Sequence, residues 1–339
     1  MAANERQDGA DRGARCAEGR EGGANAEGEA IIRGVVPSSP ETNPPNGSAP
    51  APDDAVCLLC AGRLVRRFQS HGYWIADCEA CGHRCAAISP AREHVERIYG
   101  DDYFGGGGAG YSNYLEEGPL LTRRARRYAE ILARYRPPGR ILDVGCAAGF
   151  LLKGFEDAGW TGQGLEPNAA MAEHGRRILG LRIETGTLED FHAADTFDVV
   201  SMIQVIAHFV NPRQALRAAA QATRPGGLWL VETWDYRSWT ARAFGRAWHE
   251  YSPPSVLHWF SPASLGRLVS EFGMHEVGRG RLGKWIQAAH AKSLVAHKVA
   301  GSSAGPLVRG LLRLIPDGLR LPYPSEDLFW AVYQKRDDA

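Results

Sequence analysis

The 339-residue chain has no apolar run long enough to span a bilayer. It also has no net charge: 39 Lys+Arg balance 39 Asp+Glu, so bulk attraction to nucleic acid is not implied. Its opening, MAANERQDGADRGARC, is polar and mixed in sign, unlike a secretory signal. Seven cysteines is an odd number, and four of them fall in two CxxC pairs. That usage suits metal binding in a reducing compartment better than a disulfide framework, so a cytoplasmic location is expected. Residues 1–55 are nearly free of aromatics and carry ten acids against five bases. They cannot bury enough apolar surface to offset ordering entropy, and a disordered tail is expected there.

Beyond the tail, the composition divides the chain at 56–89, 90–136 and 137–339. The first segment is a compact cysteine module, and the second is a helical connector. From 139 onward, apolar strands alternate with helices of 10–15 residues, which predicts an α/β fold with a doubly wound, mostly parallel sheet. ILDVGC and GQGLE read as the first two strands, FDVVSMIQVI as the fourth and LFWAVYQK as the last. Asn211 and Pro212 read as the N-cap and first residue of a helix, and Pro225-Gly226-Gly227 as a turn. A helical insertion is expected at about 286–322.

The stretch GRILDVGCAAG (139–149) is a buried strand running into a small-residue turn. Such a turn lets the backbone approach a ligand at the mouth of a parallel sheet. Gly145, Ala147 and Ala148 do not match the GxGxxG of a dinucleotide fingerprint, and Phe150 stands where a phosphate loop needs lysine. A nucleoside-bearing ligand without pyrophosphate fits better. Glu166 ends the second strand 23 positions after Asp143, the spacing of an acid that receives ribose hydroxyls.

ILDVGCAAG, GLEPN, GTLED, FDVV and RPGGLWLVE, in this order, resemble the class I S-adenosylmethionine (SAM) dependent methyltransferases. The resemblance implies a Rossmann-like seven-stranded sheet and SAM as cofactor. It implies that Asp143, Gly145, Ala147 and Gly149 form the loop at the methionine part, and that Glu166 with Pro167 takes the ribose. Thr187, Leu188 and Glu189 would lie by the adenine, and Ile203 and Gln204 at the end of the fourth strand. Two positions depart from the pattern: Ala147 replaces a usual glycine, and Ala207 replaces a glutamate often found before the histidine.

Cys57-x-x-Cys60 and Cys78-x-x-Cys81, 17 residues apart, have the spacing of a closed four-thiolate zinc site. A structural Zn²⁺ is expected, with His83 and Cys85 packed nearby. The ribbon followed by the SAM motifs resembles a bacterial methyltransferase group that acts on small molecules, including sugars and envelope or natural-product precursors.

Methyl transfer needs alignment, and a base where the acceptor is a hydroxyl. His208, after the fourth strand, and His258 with Tyr251, in a segment expected to cap the substrate, are the candidates. Residues 277–320 hold eight bases and one acid, which suits either a plain surface or an anionic acceptor. The reading is SAM-dependent methyl transfer to O, C or N of a small molecule. Two alternatives stand beside it: an RNA methyltransferase that uses the ribbon to hold nucleic acid, and a non-catalytic interaction protein.

Overall fold

A computed structural model describes residues 55–88, 94–104, 114–193, 196–282, 284–287, 311–312, 320–323 and 326–337. The expected tail therefore lies outside the described residues, save for Ala55, and so does nearly all of the expected insertion. Near its two ends β11 (Lys284–Gln287) and β12 (Arg320–Tyr323) pair antiparallel.

The cysteine module contributes β1 (Leu64–Ser70), β2 (Tyr73–Cys78) and β3 (Arg84–Ala86), an antiparallel meander. Its fourth strand, β9 (His258–Trp259), comes from far along the chain and pairs with β3. Then follow α1 (His94–Ile98), α2 (Asp101–Phe104) and α3 (Gly118–Leu132). Pro119 starts α3, and the helix is over before Pro137-Pro138.

The central sheet is built from β4 (Arg140–Val144), β5 (Thr161–Glu166), β6 (Ile183–Thr185), β7 (Phe197–Ile203), β8 (Thr223–Trp234), β10 (Met274–Gly280) and β13 (Leu328–Lys335). Their order is β10-β13-β8-β7-β4-β5-β6. The pairs among β4 to β8 are parallel, and β13 runs antiparallel to both β8 and β10. This is the doubly wound, mostly parallel seven-stranded sheet. The chain reverses its direction of travel across the sheet between β4 and β7, and ligands bind at such switch points.

The helices α4 (Phe150–Asp157), α5 (Ala169–Leu179), α6 (Pro212–Ala222) and α7 (Pro262–Ser270) flank the sheet. Local chemistry sets their starts. The Asn168 and Asn211 side chains accept the Met171 and Gln214 N–H groups, and Ser261 and Ser264 form a reciprocal capping box. Two buried clusters pack on the sheet, one holding Tyr128, Phe155 and Trp160, the other Trp229, Phe260 and Tyr333.

Pro225-Gly226-Gly227 differs from its expected turn. β8 runs through it: Phe197 faces Thr223 while Val199 faces Leu228, so the extra residues bulge out of the ladder and Gly226 takes φ +65°. The cysteine module is no separate bead either. Cys57, Leu59 and Cys78 share a buried cluster with Met202, Ile206 and Phe209 of the central domain. Arg213 and Arg267 donate to the carbonyls of Leu59 and Cys81. Among the described residues, no helix is long and apolar enough to cross a membrane.

Candidate cofactor cavity and cysteine cluster

The carboxyl ends of β4, β5, β6 and β7 open into one cavity of about 320 Å³, within the range of ligand pockets. At its floor, β4 turns sharply. Gly145 and Gly149 sit at φ +64° and +83°, and a Cβ on Gly145 would lie 2.8 Å from the Val205 side chain. Small residues here are therefore dictated by both conformation and space. Ala147 shares the left-handed region at φ +49°. The left-handed penalty of about 1–2 kcal/mol exceeds the roughly 0.4–1 kcal/mol by which alanine restrains the unfolded chain. Ala147→Gly is accordingly expected to raise stability by about 0.5–1 kcal/mol, read as a higher denaturant midpoint; a lower midpoint would refute the strain.

Glu166 lies at the centre of the floor and is 3% exposed. Its Oε2 accepts the Ala147 N–H at 2.8 Å and its Oε1 the Asn168 N–H at 2.8 Å. Each oxygen keeps further lone-pair capacity, so a diol can still bind to both. Burial pushes Glu166 up to about 7, against the pull of those two amides. Asp143 does not line the cavity. It is buried behind the turn, where Ser201 donates to Oδ1, and Oδ2 has no partner. Burial raises it to about 7 as well, with the Glu166 charge adding to the rise.

Both folded-state values lie above those of an unfolded carboxyl, so the native state binds more protons between about pH 4 and 7. Stability from these two groups is complete below the unfolded value and is lost as pH rises through about 7. Buried histidines such as His258, held low, pull the other way, so the effect is read as a difference: in ligand-free protein, Asp143→Asn is expected to gain on wild type in melting temperature between pH 5.5 and 7.5. An unchanged difference would assign the effect elsewhere.

Of the residues predicted from sequence for the cofactor, Gly145, Ala147, Glu166, Pro167, Thr187, Leu188, Glu189, Ile203 and Gln204 line this one cavity; Gly149 stands behind it, as the N-cap of α4. Glu189 is also a brace, because its Oε1 accepts the Val210 N–H. Gln204, at φ +57°, donates to buried Glu232, which also pairs with Arg124 of α3 at 2.6 Å. Arg124 and Glu232 went unread in the sequence: one lies in a run of arginines, the other mid-strand in LVETW. For Arg124 the helical spacing from Leu121, which also lines the cavity on α3, is the one signal in the sequence; Glu232 has none.

The candidate catalytic residues separate. His208 lines the cavity, with Nδ1 2.7 Å from the Ser255 carbonyl. His258 does not: it is 2% exposed, its Nε2 donates to the Phe209 carbonyl at 2.9 Å, and its Nδ1 meets His83 Nε2 at 3.0 Å. Burial drives it down to about 4. Tyr251 is also away from the cavity, packed among Phe68, Trp248 and Trp259 with its hydroxyl accepting from Arg84. These two residues tie the cysteine module to the central domain, and the geometry gives them no reach to a reacting atom.

The four thiols Cys57, Cys60, Cys78 and Cys81 lie within 4.8 Å of one another. The Cys57–Cys81 and Cys60–Cys78 sulfur pairs are 3.7 and 3.4 Å apart. Four sulfurs at about 2.3 Å from a tetrahedral Zn²⁺ stand roughly 3.8 Å apart. The Leu59 and Cys81 N–H groups point at the Cys57 and Cys78 sulfurs. Gly62 is held against the cluster, where a Cβ would meet Cys78 Sγ at 3.0 Å. Burial raises Cys78, but the Cys81 N–H and Cys60 thiol outweigh it and bring it down to about 7. The donor set, spacing and approach of the backbone fit a thiolate-bound metal.

Residues 120–276 match the methyltransferase-domain family. That stretch is similar to a methyltransferase domain. The chain is 32% identical over 127 residues to the ubiquinone biosynthesis O-methyltransferase of Bradyrhizobium sp. (strain ORS 278), a match covering 35% of this chain and 47% of that protein. A second such relative, from Caulobacter sp. (strain K31), is 32% identical over 133 residues, covering 37% and 50%. The chain thus spans about half the length of the curated relatives it matches. Among solved structures, a SAM-dependent methyltransferase from Mesorhizobium loti aligns at TM-score 0.42 and 16% identity, covering 62% of this chain and 100% of that one.

Proposed function

We propose that the methyltransferase domain binds SAM in the cavity and transfers its methyl group to a hydroxyl of a small molecule. The observation that carries this is the Glu166 carboxylate, fixed by the Ala147 and Asn168 amides at the end of β5, one strand from the sheet's switch point. The relatives' naming as O-methyltransferases supports oxygen as the accepting atom.

When bound, SAM supplies an electrophilic methyl on a sulfonium. Glu166 receives the ribose hydroxyls, and Thr187 with Leu188 borders the base. The lining carries Glu117, Glu166 and Glu189 against Arg124, a balance that suits a cationic ligand. Tyr103, Phe104 and Tyr114 pack together along the cavity wall and give it an apolar side that disfavours water. His208 is the group placed to take the acceptor's proton, while alignment supplies much of the rate.

Cys57, Cys60, Cys78 and Cys81 hold a structural Zn²⁺, which leaves no open position for chemistry. Their thiols stay reduced in a cytoplasm. A small acceptor is favoured over RNA because the module's arginines face its own acids: Arg67 and Arg84 pair with Asp77, and Arg63 with Glu79. An anionic acceptor finds little support in the described part of the basic segment. Arg279 pairs with Glu276, and Arg281 with Glu326.

The test is calorimetric titration of SAM and S-adenosylhomocysteine into wild type, Asp143→Ala and Glu166→Ala. Binding to wild type that weakens in both variants is expected. It then justifies an acceptor screen that begins with catechol and uncharged sugars. Absence of binding to folded, metal-loaded wild type sinks the proposal.

A further inference from the structure

On the methyltransferase reading above, we propose that Tyr99 is a positioning residue that, with the Ser255 carbonyl, holds His208 as the Nδ1–H tautomer and so puts the lone pair that acts as the base on Nε2.

Three polar atoms from three parts of the chain meet at one point. The Tyr99 hydroxyl, just past α1, lies 2.6 Å from the Ser255 carbonyl oxygen and 2.9 Å from His208 Nδ1. His208 Nδ1 is itself 2.7 Å from that carbonyl. A carbonyl only accepts, and two lone pairs cannot face each other at this distance. Nδ1 therefore carries a proton, and the tyrosine hydroxyl donates to the same carbonyl. The tyrosine oxygen is then free to accept from Nδ1–H as a second partner. In neutral imidazole the lone pair must be on Nε2, and His208 lines the cavity.

The carbonyl is itself held in place. The Leu257 N–H donates to the Ala207 carbonyl and His258 Nε2 to the Phe209 carbonyl, so residues 255–258 are laced along 207–209. The Tyr99 backbone carbonyl accepts from the Asn168 side chain, two residues from Glu166. One residue thus links the ribose-binding acid to the base. The edge-on Tyr99 and His208 rings, 5.7 Å apart at 88°, limit rotation of the imidazole.

In the reaction, the acceptor oxygen forms its bond to the methyl carbon as the carbon–sulfur bond breaks. That bonding pair leaves with sulfur as a neutral thioether. The hydroxyl proton passes to His208 Nε2, giving an imidazolium whose Nδ1–H is shared by Ser255 and Tyr99. Other groups face the ring: the Gln204 carbonyl and the Glu250 charge favour the imidazolium, burial opposes it, and His258 stands one element behind.

The experiment is ¹⁵N NMR of the full-length, zinc-loaded protein labelled at histidine, with S-adenosylhomocysteine as probe, in wild type and Tyr99→Phe. His208→Gln assigns the signals. Wild type is expected to show His208 with Nδ1 protonated and Nε2 bare. Tyr99→Phe removes an acceptor from the imidazolium, so His208 is expected to titrate at lower pH. S-adenosylhomocysteine affinity should stay within about twofold, while catechol methylation drops about tenfold. Its acid limb should move to lower pH. An Nε2–H tautomer in wild type, or a Tyr99→Phe protein with unchanged titration and rate, overturns the role of Tyr99 while leaving SAM binding intact. Wild type that binds no S-adenosylhomocysteine overturns the underlying reading instead.

Discussion

Cys78→Ser is expected to release the metal and to lower the melting temperature by about 10 °C or more. Structural zinc contributes on the order of 10 kcal/mol in isolated small domains. Only a part of that need be lost here to be visible, because about 1 kcal/mol moves a domain of this size by roughly 2 °C. The effect spreads because of where the thiols are. Cys57 and Cys78 belong to the cluster that holds Met202, Ile206 and Phe209, the exit of β7. Serine cannot supply a thiolate, and a loosened knuckle frees Arg213 and Arg267 from the Leu59 and Cys81 carbonyls. Metal analysis should give one zinc per wild-type chain and none in the variant, alongside the drop in melting temperature. A variant that melts within about 2 °C of wild type would mean that the four cysteines carry no metal that matters to the fold.

Glu166→Gln is expected to weaken SAM at least about 100-fold while the protein stays folded. Two ribose hydroxyls donating to a carboxylate are worth about 1.5 kcal/mol each, about 3 kcal/mol in all. The amide is close to isosteric, but its NH₂ must face either the Ala147 or the Asn168 N–H, donor against donor. It relieves the burial of a charge, so the ligand-free variant should be no less stable above pH 7 than wild type. Calorimetry against thermal denaturation separates the two effects. Affinity retained within about threefold would remove Glu166 from the ribose site.

The sequence made much of the sheet legible. LFWAVYQK is β13, residue for residue, and the acids of ILDVGC and GLEPN stand at the ends of β4 and β5 because apolar runs closing in a single acid have few other places to go. Legibility failed where partners are remote in sequence. SVLHWFS looks like a lid with a reactive histidine, yet His258 bonds to a carbonyl and to another buried histidine. No local signal separates that from a ligand-facing ring. Tyr99 is illegible for the same reason, since its hydroxyl partners are 109 and 156 residues away. RPGG misled in another way: it has turn chemistry, but a strand with neighbours on both sides absorbs it as a bulge.

The pairing of β3 with β9 has a consequence for how the chain is born. His83 and His258 are 175 residues apart. A ribosome adding about 5–20 residues per second needs roughly 10–35 s to cover that distance. Through this interval the nascent three-stranded ribbon waits with an open edge. Its thiols have already emerged, and a metal captured early would keep that edge ordered until its last strand arrives.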